Sequence, residues 1–135
     1  MTDKRNRPPP GEPWVWLTAE MMKSDAWRSA GINSRRLIDF LLIELMAHGG
    51  QGNGALLAPE EQLSSVGIGR RYVACAIREA ETLGLVDCYR RGRRVATLFG
   101  LNWLPSLNGS PPNDRWRDYR NPKLKPWPKR ERAGA

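Results

Sequence analysis

Histidine occurs once in these 135 residues, at His48, and cysteine twice, at Cys75 and Cys88. The cysteines form no Cys-x-x-Cys pair and have no histidine near them in sequence, so a metal site is not expected and both read as free thiols. No nucleophile or carboxylate motif accompanies His48, which reads as a helix-end histidine beside a carboxyl-terminal dipole. Paired carboxylates with catalytic spacing are missing too. The glycine-rich run Gly49-Gly50-Gln51-Gly52-Asn53-Gly54 lacks the Gly-Lys-Ser/Thr ending of a phosphate-cradling loop and reads as a flexible connector. These absences leave an enzyme without a constellation to support it, and a non-enzymatic protein with no cofactor and no metal is expected. No apolar run reaches the roughly 18 residues of a membrane span, and the amino terminus MTDKRNRPPPG has no hydrophobic leader. The expectation is a cytoplasmic, nucleoid-associated protein that makes no membrane contact.

Acidic residues are also scarce: 14 against 22 basic ones, a formal net charge of +8 and a pI near 10.2. Such a balance suits a polyanionic partner without establishing one. Its placement says more. Residues 106–135 carry eight basic and three acidic residues, and the middle of the chain is nearly balanced. Within that middle, seven of the eleven basic residues are arginines between Arg70 and Arg94.

Those arginines lie on an ordered series of local signals. Gly67 and Gly69 permit a sharp turn into a helix predicted over 70–83, and Gly84 is placed to end it in the left-handed conformation. At about 100° per residue, Val73, Ala76, Ile77, Ala80 and Leu83 share one face, which is the spacing of a buried stripe. Arg71, Cys75, Arg78 and Thr82 occupy the opposite face, with Ala74 at its edge. Any surface helix carries arginines on its wet side, so this stripe alone decides nothing. The residues after Gly84 give it meaning. Leu85 to Tyr89 alternates as a strand does, Arg91-Gly92 is a turn signal, and Arg94 to Phe99 begins a predicted return strand, which makes a hairpin tipped by Arg90, Arg91, Arg93 and Arg94.

From Pro59 to Val95 the order is therefore short helix, turn, longer helix and basic hairpin, that of a winged helix-turn-helix. The fold expected is mainly α, with three core helices, a two- to three-stranded antiparallel sheet and disordered tails at both ends. The boundaries are a proline-rich arm over 1–13, the domain over 14–105, and a basic tail containing proline and tryptophan over 106–135. Trp14 and Trp16 are expected to clamp the arm to the core. Thr18 can cap a short helix to about Trp27, and Asn33 or Ser34 can cap the next, Arg35 to about Ala47, which is apolar around most of its circumference. One face of that helix could serve as a homodimer seam. Ala55-Leu56-Leu57 suits a small strand paired with the returning strand of the wing. Solvated tail is the expectation beyond Pro105; the alternative is a tail that tracks a nucleic-acid backbone with its cations and stacks its aromatics on bases.

The run from Trp14 to Pro105 resembles a family of small, largely uncharacterised bacterial winged-helix proteins, similar to the amino-terminal domains of plasmid and phage replication initiators. The resemblance rests on Trp14-Val15-Trp16-Leu17-Thr18, Ser24-Asp25-Ala26-Trp27-Arg28, Met46-Ala47-His48-Gly49-Gly50, Asn53-Gly54, Gly67-Ile68, Arg70-Arg71, Leu83-Gly84-Leu85 and Leu101-Asn102-Trp103-Leu104-Pro105. It implies DNA binding; a full initiator of this kind would carry a second domain that has no counterpart here. The residues expected at double-stranded DNA are Arg70, Arg71, Tyr72, Ala74, Cys75 and Arg78 in a major groove and Arg90, Arg91, Arg93 and Arg94 on the backbone or an adjacent minor groove. The process would be transcription regulation or replication support. The competing expectation is a protein-interaction module, whose tryptophan-bearing surfaces meet a replication or regulatory protein partner.

Overall fold

The computed structural model describes residues 7–129. The first six residues of the expected arm and the last six of the expected tail lie outside the described residues. Helix α1 is Ala19–Lys23, α2 Asp25–Ser29, α3 Ile32–Ala47, α4 Glu60–Leu63 and α5 Val73–Thr82. Strands β1, Val86–Tyr89, and β2, Leu98–Leu101, form one antiparallel pair in the register Val86 with Leu101 and Tyr89 with Leu98. Leu56 adds a single bridge to Phe99, each backbone N–H donating to the other's carbonyl, at 3.1 and 2.8 Å. The small strand expected there is thus one residue long.

Thr18 caps α1 as predicted, accepting from the Met21 N–H at 3.3 Å. The single helix expected through Trp27 is instead two. Ser24 adopts an extended backbone, its N–H donates to the Met21 carbonyl, and its Oγ accepts from the Trp27 N–H at 3.2 Å, so one residue ends α1 and caps α2. Serine competes for backbone hydrogen bonds in this way, which favours a cap over a helix interior. The turn delivers Trp27 edge-on to Trp103, with ring centroids 6.1 Å apart at 88°. Trp14 and Trp16 stay on the surface, 58% and 46% exposed. The chain entering α1 is held by Val15 against the core and by the Trp103 indole N–H, which donates to the Trp16 carbonyl at 3.0 Å.

Helix α3 supplies the centre, with Leu37, Ile38, Phe40, Leu41 and Leu45 buried. It starts three residues before the predicted Arg35, and neither Asn33 nor Ser34 caps it. The cap comes from α5: the Glu79 carboxylate accepts from the Gly31 N–H at 2.6 Å and from the Ser34 hydroxyl at 2.7 Å. Ile32 and Ile43 remain exposed on the far side.

Between α4 and α5 the backbone makes a 3₁₀ turn, Ser64–Val66, reverses at Gly67 with φ +88°, buries Ile68, and makes a second 3₁₀ turn, Arg70–Tyr72. Arg36 on α3 braces the reversal by donating to the Gly67 carbonyl at 2.8 Å. Beyond β1, the return strand begins at Leu98 and not at Arg94, leaving an irregular loop over 90–97. Gly92 and Arg94, both at positive φ, break the extended pattern there.

The expected disordered tail is contradicted over 106–129. Trp116 is 3% exposed and belongs to the core, within a 3₁₀ turn, Arg115–Asp118. Its backbone passes so close to Gly84 that a Cβ there would lie 2.7 Å from the Arg115 carbonyl; Gly84 also has φ +79°. Polar ties continue outward: Arg115 pairs with Asp87, Arg117 with Glu20, and the Asn121 N–H donates to Asp25 at 2.9 Å. Arg28 donates to the Lys125 carbonyl at 2.6 Å, and the Lys23 and Arg28 cations lie over the Trp127 ring at 5.8 and 5.5 Å. The glycine-rich connector is likewise pinned. Buried Asn53 donates to the carbonyls of Leu101, Leu104 and Pro105 and accepts from the Leu101 N–H at 2.7 Å.

Replacing Trp116 with Ala is expected to cost about 3–5 kcal/mol of unfolding free energy, because a large buried side chain leaves a cavity. Gly84→Ala should also destabilise, since it combines a strained φ with a backbone clash. Urea unfolding followed by tryptophan fluorescence checks both; a midpoint unchanged by Trp116→Ala would mean that this segment does not pack on the core.

Candidate nucleic-acid interface

Helix α5 is built to lie close on α3. Its inner face presents Val73, Ala76 and Ala80, all buried, and the two alanines let the helices approach while Glu79 fastens them. The outer face is thereby fixed by period alone. Ala74, Cys75, Arg78 and Thr82 are all exposed, as the sequence predicts. Arg70, Arg71 and Tyr72 precede the α-helix in the 3₁₀ turn, closed by the Tyr72 N–H donating to the Gly69 carbonyl at 2.8 Å. The predicted helix over 70–83 therefore loses its first turn to tighter winding. With the steeper rise of that turn, Arg71 and Arg78 are about 11 Å apart along the axis.

The ten candidate residues divide by their partners. Arg70 lies 3.7 Å from Glu60, and Arg90 makes a two-pronged pair with Glu81 at 3.1 and 3.2 Å, which raises its pKa further. Arg90 is thus held against the end of α5, away from the tip of the loop. Arg71 stacks on Tyr72, with its guanidinium 5.3 Å from the ring centroid. Arg91 donates to the Ala96 carbonyl at 3.0 and 3.3 Å and shapes the loop, while Arg93 and Arg94 are exposed at its tip. Among the described residues, no carboxylate lies within 4 Å of Arg71, Arg78, Arg91, Arg93 or Arg94. Ala74 and Ile77 of α5 face Ala96 and Thr97 of the loop across a groove of about 410 Å³, so the two elements that carry these arginines border one surface feature.

Sequence reasoning missed the residues that hold this arrangement: Glu79 at the start of α3, Arg36 at the Gly67 turn and Glu81 on Arg90. No local pattern marks them, because each acts on a partner distant in sequence or in another element. A hollow of about 520 Å³ between the hairpin and the 106–115 segment carries Asp87, Asn102, Asn113 and Arg115, but these groups bond to one another. Among the described residues, no three His, Cys, Asp or Glu side chains converge as metal ligands, and no helix is long and apolar enough to cross a membrane. His48 is the C-cap of α3, its ring 3.8 Å from Glu44.

The two thiols differ in setting. Cys75 is exposed on the outer face of α5, and Cys88 is half-buried in β1. Burial first, then the neighbouring Glu81 carboxylate, pushes the Cys88 thiol up from 9.0 to about 11. The fold favours its neutral form, so its contribution to stability is complete below pH 9 and is lost as pH rises toward 11. Followed singly in Cys75→Ser and Cys88→Ser proteins, Cys75 should react with a maleimide at pH 8 well before Cys88; equal rates would show that β1 opens readily.

Comparison of the chain with protein-family models, with curated proteins and with solved structures finds no match.

Proposed function

We propose that the chain binds double-stranded DNA sequence-specifically and without catalysis, as a winged helix-turn-helix module of a transcription regulator or replication accessory factor. In this reading α4, the Gly67 reversal and α5 form the helix-turn-helix, and the β1–β2 hairpin with its 90–97 loop forms the wing. The observation that carries it is the set of exposed arginines that, among the described residues, have no carboxylate within 4 Å: Arg71 and Arg78 on the outer side of 71–82, and Arg91, Arg93 and Arg94 on the 90–97 loop, two elements that face each other across one groove. Guanidiniums left unneutralised on adjacent projections suit a polyanion, with small Ala74 and Cys75 between them permitting close approach to a major groove. Arg90, Arg70 and Tyr72 then act as framing residues more than as contacts.

A second reading has its own observation. Trp14, Trp16 and Leu107 are exposed, and Trp16 and Leu107 line a hollow of about 230 Å³ with Val15, Leu45 and Leu104, a surface that fits an apolar side chain of a replication or regulatory protein.

Binding to selected and random duplexes separates the two. Arg71→Ala or Arg78→Ala should cost about 1–3 kcal/mol at a preferred site and less on random DNA, with folding intact. Replacing Arg91, Arg93 and Arg94 together with Ala should flatten the salt dependence by roughly 0.9 log units per lost phosphate contact on every sequence. Bound DNA should also shield Cys75 from maleimide. If the arginine variants bind selected and random duplexes as the parent does, the DNA reading is wrong and the tryptophan surface becomes the functional one.

A further inference from the structure

The groove between α5 and the 90–97 loop is lined mainly by apolar side chains, with Glu60 and Thr97 as its polar ones. Val73, Ile77 and Phe99 form its floor, and Leu57, Ala74 and Ala96 its walls. Val73 and Phe99 are buried, while Leu57 is 42% exposed and Ala74 opens to solvent beside Cys75 and Arg78. Arg91 fixes one bank through the Ala96 carbonyl, and Arg70 stands beside Glu60 at the other end.

We infer that this groove reads thymine: it takes the 5-methyl groups that thymines project into the major groove, while the arginines on either bank hold the flanking phosphates. The inference rests on the DNA reading and adds a base preference to it. The chemistry of the lining selects the base. Guanine, adenine and cytosine present donors and acceptors but no methyl on their major-groove edges, and those groups would lose water against Val73, Ile77, Phe99, Leu57, Ala74 and Ala96, the polar side chains of the lining being only Thr97 and Glu60. Thymine, beside its O4 acceptor, presents the one methyl on that edge, and burying that methyl here is favourable where the other bases offer only polar groups. The arginines account for the occupant being DNA, since an uncharged apolar ligand would leave them unanswered. Glu60, the one carboxylate at the rim, is drawn toward Arg70 at 3.7 Å, which tempers its repulsion of a phosphate.

The test uses the full chain and a pool of duplexes with 20 random base pairs, from which bound sequences are selected. The selected sites should contain thymine, and replacing each such thymine with deoxyuridine, which removes only the methyl, should weaken binding about fourfold per methyl. Leu57→Ser should bind the thymine duplex no better than the parent binds its uracil counterpart while keeping the parent's salt slope. Should thymine and uracil duplexes bind equally in a protein that still selects sequences, the groove does not read the methyl and the DNA reading survives without it. A pool that yields no preferred sequence and no salt-dependent binding removes both, and leaves the groove to an apolar side chain of a protein partner.

Discussion

The close approach of α5 to α3 governs this molecule. Ala76 and Ala80 bring the two backbones together, and Glu79 locks their relative position by serving as the cap that α3 lacks in its own sequence. A charged residue spent on two donors at a helix start is strong at this site because both are fixed and one belongs to the first turn of the central helix. With α5 pinned along that face, its period leaves Cys75 and Arg78 outward. The hairpin follows α5 directly through Gly84.

That hairpin and the chain beyond β2 depend on each other. Gly84 ends α5 and also admits the backbone of Arg115 and Trp116, so one glycine serves a turn and a packing contact. Asn102 extends the same junction, donating to the Gly84 carbonyl at 2.8 Å and accepting from Asn113 at 3.2 Å. The hairpin is therefore rooted on a base clasped from outside by the 113–118 segment. Among the described residues, its tip has no comparable support apart from Arg91, which turns its own guanidinium back onto the loop.

Much of the candidate surface was legible in the sequence. The stripe of Val73, Ala76 and Ala80 against Arg71, Cys75 and Arg78 comes from period, and the stop at Gly84 from the freedom of glycine at positive φ. Leu56 beside Phe99 was equally readable as a short apolar run near a returning strand. The failures have a common cause. Ser24 reads as a tolerable helix residue until its backbone is seen to serve two helices. Arg90 counts as one more hairpin cation until Glu81, nine residues earlier, is found against it. The segment over 106–129 looks solvated by composition, since its few large apolar side chains are separated by prolines and charges.

The sequence by itself determined roughly where the two longer helices lie, which face of 73–82 is buried and where the positive charge accumulates, because periodicity and charge are properties of neighbours along the chain. Only the tertiary structure decided which arginines keep their charge unanswered, where the return strand starts, and that Trp116 closes the core. Those outcomes rest on pairings such as Glu79 with Gly31, Asp87 with Arg115 and Gly84 with Trp116, whose partners meet only after the chain has folded, and no local signal distinguishes such a residue from a solvated one of the same type.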